Sequence, residues 1–214
     1  MRRAAAAAAV TATTIAGERV RRTTGGIGIG LRAAALAMGV AALSVALPAP
    51  ALAQFDGITL APGITLGSPN DPARVALGAG AFDITPSSSH PDSRTAAEFR
   101  GEYRFGDVVW IISPFIGASG TSDGAFYGYG GFGFDINFGQ NVVLTPNGAA
   151  GYFARGSGTN LGSWWEFRTG AELAWRFADM SRIGIAMNHT SNAGLTKRNP
   201  GEQSIAVMYS LPLH

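Results

Sequence analysis

His189 and Ser191 stand two residues apart near the C-terminal end of the chain, in the stretch Ile183-Gly184-Ile185-Ala186-Met187-Asn188-His189-Thr190-Ser191-Asn192-Ala193-Gly194. An imidazole within reach of a serine hydroxyl can take its proton and turn the oxygen into a nucleophile for a carbonyl carbon. The stretch reads as a β-strand ending in a glycine turn. Side chains alternate along a strand, so Ile183, Ile185, Met187, His189 and Ser191 share one face. Two strand steps span roughly 6.5 Å between Cα atoms, a gap that rotamer choice closes. Asn192-Ala193-Gly194 then offers a side-chain amide and a glycine N–H to a developing oxyanion. Asn199-Pro200-Gly201 ends the loop, and parity sets Gln203 on the face of Ile205 and Val207, beside the His/Ser strand. His-x-Ser alone also fits a hydrogen-bonded strand-end histidine with no chemistry. What sets this one apart is its place at the end of a row of large apolar side chains. Polar groups there cost free energy unless they have partners or sit at an interface.

The elements that must position this pair are strands. From Arg74 onward the chain is a series of alternating segments separated by turn residues. They run over Arg74–Ile84, Ala97–Phe105, Val108–Ala118, Ala125–Ile136, Asn141–Arg155, Trp164–Phe177, the His/Ser strand, and Gln203–Leu213. Ser113-Pro114 suggests a bulge or bend, and Pro146-Asn147-Gly148 a break. Two segments are patterned most clearly. Ala97, Phe99, Gly101, Tyr103 and Phe105 alternate with Glu98, Arg100, Glu102 and Arg104. Trp165, Phe167, Leu173 and Trp175 alternate with Glu166, Arg168, Glu172 and Arg176. One face is apolar with aromatic ends, and the other is a ladder of opposite charges.

That pattern decides between two kinds of barrel. A soluble barrel hides its apolar face and wets its charged one. A membrane barrel inverts this, because its outside meets acyl chains and its narrow inside lets each charge find an opposite. The expectation is an all-β fold, an eight-stranded antiparallel transmembrane β-barrel over residues 74–214, with Trp and Tyr residues in interfacial girdles. A soluble sandwich or a periplasmic lipid-binding barrel is the competing architecture.

Composition agrees. The 214 residues are 46% hydrophobic and 14% charged, with 30 glycines, which suits a sheet protein with close strand contacts. There is no cysteine, hence no disulfide, thiol nucleophile or thiolate metal site. Six arginines before the apolar run Ala33–Leu47, then Ala51-Leu52-Ala53 ahead of Gln54, read as a cleaved signal peptide over 1–53. That segment holds six of the 16 basic residues and one of the 14 acidic ones, so its removal takes the formal charge from +2 to −3. The basic balance is therefore no nucleic-acid footprint. Residues 54–73, rich in Gly, Pro, Asp and Asn, read as an irregular leader with a short extended piece at 57–60.

His189-Thr190-Ser191-Asn192-Ala193-Gly194, followed by Asn199-Pro200-Gly201 and a final strand, resembles the lipid A 3-O-deacylase (PagL) family of outer-membrane barrels. The resemblance is strongest over 183–212. It implies a serine esterase with a His–Ser–Glu triad on the outer barrel surface, acting on an ester-linked 3-hydroxyacyl chain of lipid A. Carried over, Ser191 is the nucleophile, His189 the general base, and Asn192 and Gly194 help form the oxyanion hole. The family's Glu falls on Gln203 here. Two arrangements stay open: Gln203 orients the imidazole, or a bulge at Pro200-Gly201 brings the neighbouring Glu202 around. A catalytically silent barrel with a structural or adhesive role also stays open. No cofactor and no metal are called for. The expected partners are lipid A or lipopolysaccharide and the surrounding outer-membrane lipid, with no nucleic acid; a homodimer is left open.

Overall fold

The computed structural model describes residues 57–68, 71–106 and 110–213. The expected signal peptide lies outside the described residues. Eleven strands form: β1 (Ile58–Ala61), β2 (Ile64–Leu66), β3 (Arg74–Phe82), β4 (Ala96–Arg104), β5 (Ile112–Thr121), β6 (Phe126–Phe134), β7 (Ile136–Phe138), β8 (Val142–Ala154), β9 (Trp165–Arg176), β10 (Arg182–Ser191) and β11 (Glu202–Pro212). Eight of them, β3, β4, β5, β6, β8, β9, β10 and β11, pair antiparallel in that order, and β11 returns to β3 through registers such as Val207↔Ala79. The sheet is thus closed on itself and leaves the long strands no free edge.

The inversion expected of a membrane barrel is present. Phe99 is 66% exposed while its neighbours Glu98 and Arg100 are 3% and 5% exposed. Leu173 is 55% exposed and Glu172 3%. Apolar side chains cover the outside, and the charged ladder fills the inside. There Arg100 pairs with Glu98 at 2.9 Å, and Arg104 bridges Glu102 and Glu172 at 2.8 and 2.6 Å. Arg168 reaches Glu102 at 3.1 Å and lies 4.1 Å from the centre of the Tyr129 ring. Burial is affordable to these ions only because each has a partner close by. Above this network, towards the end where β10 runs out, Phe82, Phe115, Tyr127, Tyr129, Phe153 and Leu161 form an apolar cluster.

Four expectations need correction. The leader is more regular than expected: the extended piece at 57–60 is β1, and it pairs with an unexpected β2 in a hairpin around Gly63, whose φ of +79° suits the turn, and β2 docks on β7. Pro146 does not break its segment, because β8 pairs continuously with β9. On its other side β8 exchanges β7 for β6 between Leu144 and Asn147, so the missing proline N–H falls where no ladder bond is due. Pro114 makes no bulge either, since β5 stays in register with β6 through it. The segment expected over Ala125–Ile136 divides at Asp135, which is buried and takes hydrogen bonds from Ser68 and Thr145 and an ion pair from Arg182 at 2.7 Å.

The two ends of the barrel differ. One carries the connections 83–95, 122–125, 155–164 and 192–201; the other carries 105–111, 135–141 and 177–181. The candidate chemistry sits at the end with the longer loops.

Candidate active site on the outer barrel wall

β10 alternates strictly between buried and exposed residues, and His189 falls on the exposed side with Ile183, Ile185 and Met187. In the register, His189 faces Thr169 of β9 on one side and Gln203 of β11 on the other. Ser191 follows on the same face, opposite Phe167. Histidine and serine therefore emerge side by side on the outer wall, where the strand passes into its loop.

Gly201 holds the space between them. Its φ is +66°, and a Cβ built there would lie 2.7 Å from His189 Cε1, 3.4 Å from His189 Nε2 and 3.6 Å from Ser191 Cβ. The loop backbone thus comes back directly against both side chains, which only a residue without a side chain permits. The spacing of Asn199-Pro200-Gly201 pointed to a turn; the role of Gly201 as the floor of the site was not legible from it.

Gln203 and Glu202 part company. Gln203 is exposed beside His189, whereas Glu202 is 2% exposed and points into the barrel opposite Thr190. Its carboxylate accepts a hydrogen bond from the Asp83 backbone N–H at 3.2 Å. The β10–β11 register runs without a shift from Thr190↔Glu202 onward. The bulge that would bring Glu202 around is absent, and strand parity alone keeps it inside. Thr85 is the residue that sequence reasoning missed: its hydroxyl donates to Gln203 Oε1, and the Ile84 N–H donates to the Gln203 backbone carbonyl at 2.8 Å. Its place follows from the closure of β11 on β3, a contact between the two ends of the barrel sequence.

The expected oxyanion donors are spent elsewhere. Asn192 is fully buried, and its Nδ2 donates to the carbonyls of Leu161 and Arg198 at 2.9 and 2.7 Å and to Thr196 Oγ1 at 3.0 Å. The Gly194 N–H donates to Asn192 Oδ1 at 3.0 Å. Both groups build the turn rather than face outward. The loop is tied down further by Arg198, which pairs with Asp92 at 2.6 Å and donates to the Asn160 carbonyl at 3.1 Å. Ala193, between them, has a φ of +52° and is exposed. Among the described residues its N–H has no acceptor.

The family model of the lipid A 3-O-deacylase (PagL) matches residues 94–212, more than half of the chain. No curated protein matches. Similar solved structures include the following. The crystal structure of the outer membrane enzyme PagL has 20% identity and a TM-score of 0.47, covering 65% of this chain and 99% of its own. A de novo designed transmembrane β-barrel has 10% identity and a TM-score of 0.46, covering 67% and 98%. The Yersinia pestis outer membrane protein Ail in a phospholipid nanodisc has 14% identity and a TM-score of 0.42, covering 66% and 100%. With the matched family and a closed eight-stranded barrel that is apolar outside, the chain belongs to the lipid A 3-O-deacylase (PagL) family of outer-membrane β-barrels.

Proposed function

We propose that the protein is a serine esterase that removes the ester-linked 3-hydroxyacyl chain at the 3-position of lipid A. The observation that carries this reading is the emergence of His189 and Ser191 together on the lipid-facing wall, packed against Gly201. A membrane ester lies beside a barrel rather than within it, so a site on the outer wall meets its substrate without admitting it to a lumen. Long loops mark the extracellular end of such barrels and short turns the periplasmic end. On that rule the pair sits at the level of the outer leaflet, where lipopolysaccharide resides.

In this mechanism Ser191 Oγ attacks the ester carbonyl carbon while His189 takes the hydroxyl proton. The tetrahedral intermediate collapses, and the imidazolium returns that proton to the departing sugar alkoxide. Water, deprotonated by His189, then attacks the acyl-serine and releases the 3-hydroxy fatty acid. Gln203 positions the imidazole from across the strand pair. A neutral amide can hold a ring orientation but cannot balance an imidazolium; in a serine-protease triad the equivalent loss of charge costs about 10⁴-fold in turnover. With Asn192 and Gly194 shaping the turn, the Ala193 N–H is the backbone donor left to face the oxyanion.

Mass spectrometry of lipid A tests this directly, in cells whose lipid A carries the susceptible ester. Expression should remove one 3-hydroxyacyl mass, and Ser191→Ala should abolish the change. Unaltered lipid A with folded wild-type barrel in the membrane would defeat the reading. The second reading, a silent barrel, is favoured by one contact: the Gln203 carbonyl already accepts from Thr85.

A further inference from the structure

The ion pairs inside the barrel do not use up its donors. Arg100 gives Nη2 to Glu98 at 2.9 Å and to Ser204 Oγ at 3.4 Å, and its Nε–H has no acceptor. Arg168 gives Nη2 to Glu102 at 3.1 Å, and its Nε and Nη1 have no acceptor. Asn188 is next to His189 but on the inward face of β10, and its Nδ2 is unpartnered too. These residues are 5%, 3% and 5% exposed, so bulk water does not serve them. Buried donors left unmade are costly, and those on charged groups the most.

All three side chains line one cavity of about 40 Å³, room for about three water-sized bodies. The register explains why they meet. Asn188 pairs with Ser204 of β11 on one side and Gly170 of β9 on the other. Arg100 crosses the lumen from β4 to that same Ser204. Arg168 is one inward position along β9 from Gly170. The missing side chain at Gly170 gives the Asn188 amide its room, since a Cβ there would lie 2.4 Å from Asn188 Oδ1. Strands β4, β9 and β10 thus bring Arg100 Nε, Arg168 Nε and Nη1, and Asn188 Nδ2 to a shared space.

The occupant of that space has to accept without donating. A water that takes two of these N–H groups brings two hydrogens of its own, and the cavity offers one unpartnered acceptor, Asn147 Oδ1. The carboxylates lining it are engaged already: Glu102 with Arg104, Arg168 and Tyr129, Glu172 with Arg104, and Asp135 with Arg182 and Thr145. Charge points the same way. Arg176, inward at the end away from the long loops, bonds to Ser68 and Asn137 and pairs with no carboxylate among the described residues. Glu166 and Glu202 also have unpartnered oxygens, but they lie nearer the loops and outside the cavity, and Arg168 is turned to Glu102 instead.

We propose that the cavity binds one small monovalent anion, of the size of chloride, through Arg100, Arg168 and Asn188. Guanidinium N–H groups make strong charge-assisted bonds to such an ion. The ion ties β4, β9 and β10 together behind the wall that carries His189. Arg104, whose side chain lines the same cavity and is 17% exposed, marks its entry from the end with the shorter loops. The site is independent of the esterase reading and holds its ion whether or not an ester is cleaved.

The test uses the full chain in detergent micelles, unfolded reversibly by urea at fixed ionic strength while sodium gluconate is exchanged stepwise for sodium chloride. Gluconate is too large for the cavity. Above half-saturation, each tenfold rise in chloride should lower the unfolding equilibrium constant about tenfold, the slope of a single site. Crystals grown in sodium bromide should show an anomalous peak between Arg100 Nε, Arg168 Nη1 and Asn188 Nδ2. Asn188→Asp sets a carboxylate against the same donors. It should be as stable without chloride as the wild type is with it, and should lose the chloride dependence. Stability indifferent to chloride, or density in the cavity that refines as water with no bromide signal, overturns the proposal. A chloride dependence kept in full by Asn188→Asp places the ion elsewhere and overturns it as well. Should Asn188→Asp not fold, the wild-type bromide crystal decides alone.

Discussion

Gln203 stands directly across the strand pair from His189, at the position where the family pattern has a carboxylate, and its side-chain carbonyl is taken by Thr85. An amide oxygen has two lone pairs, so one bond to Thr85 still allows a second from an imidazole N–H. A carboxylate would accept from both and would also stabilise the imidazolium. Gln203→Glu should therefore raise lipid A deacylation by tenfold or more, within the roughly 10⁴-fold that a triad acid can supply. The rate is read from the loss of acyl mass over time in cells or micelles. A variant that folds with an unchanged or lower rate removes Gln203 from the acid position.

Gly201 and Gly194 give a paired test of the site floor. Both have a left-handed φ, +66° and +80°, so alanine at either strains the backbone by about 1–2 kcal/mol. Only at Gly201 does the new methyl strike something, His189 Cε1 at 2.7 Å; at Gly194 nothing lies within 4 Å. Gly201→Ala should cost on the order of a hundredfold or more in kcat, as ångström-scale misplacement of a catalytic group does. Gly194→Ala should lose similar stability and far less activity. Equal activity losses would mean that strain, not the closeness of His189, is what matters there.

Much of this architecture was legible in the sequence because period-two alternation is a local signal. Phe99 against Glu98, and Leu173 against Glu172, stated which side met lipid without any knowledge of which strands were neighbours. His189 and Ser191 were placed on one outer face by the same parity, and so was the inward turn of Glu202. What escaped notice depends on contacts far apart in the chain. Thr85 meets Gln203 only because the barrel closes, and Asn192 is consumed by Leu161, a carbonyl 31 positions away. The outcome at Pro146 depended on which partner β8 has on its far side. The second strand of the leader hairpin was missed because it is three residues long, too short for alternation to register.

Asn192 acts through the loop. Its side chain makes three donor contacts and accepts one, all buried or part-buried. Asn192→Ala strands the Gly194 N–H and the Leu161 carbonyl, at about 1–3 kcal/mol for each buried group left unpaired, while the Arg198 carbonyl keeps the Thr196 hydroxyl at 2.8 Å. The loop 192–201 should loosen and activity should fall steeply, while the strands keep their amide protection from hydrogen exchange. Arg198→Ala removes a half-exposed ion pair with Asp92 and should cost only about 0.2–1 kcal/mol and a few-fold in rate. Hydrogen exchange confined to 192–201 in both variants checks the assignment; protection lost from β9 and β10 as well would show that Asn192 supports the wall and not the loop alone.

The inside and outside of the wall should respond oppositely to charge. Glu172 is 3% exposed and ion-paired to Arg104 at 2.6 Å, so Glu172→Leu leaves a part-buried guanidinium short of a partner, a change that costs about 3–5 kcal/mol where fully buried pairs are broken. Glu102 keeps a share of Arg104 at 2.8 Å, which places the expected cost at the lower end. One residue along, Leu173 faces lipid, and Leu173→Arg puts a charge among acyl chains at about 2–4 kcal/mol if it lies near the bilayer midplane. Thr169→Arg, four residues nearer the loops on the same face, should cost about 0–1 kcal/mol because the guanidinium reaches the headgroups. Reversible unfolding by denaturant in lipid vesicles measures all three. The gradient from Thr169 to Leu173 fixes the depth of His189, which pairs with Thr169. A cost at Thr169 as large as that at Leu173 would sink the site below the interface, away from any ester at the level of the sugars.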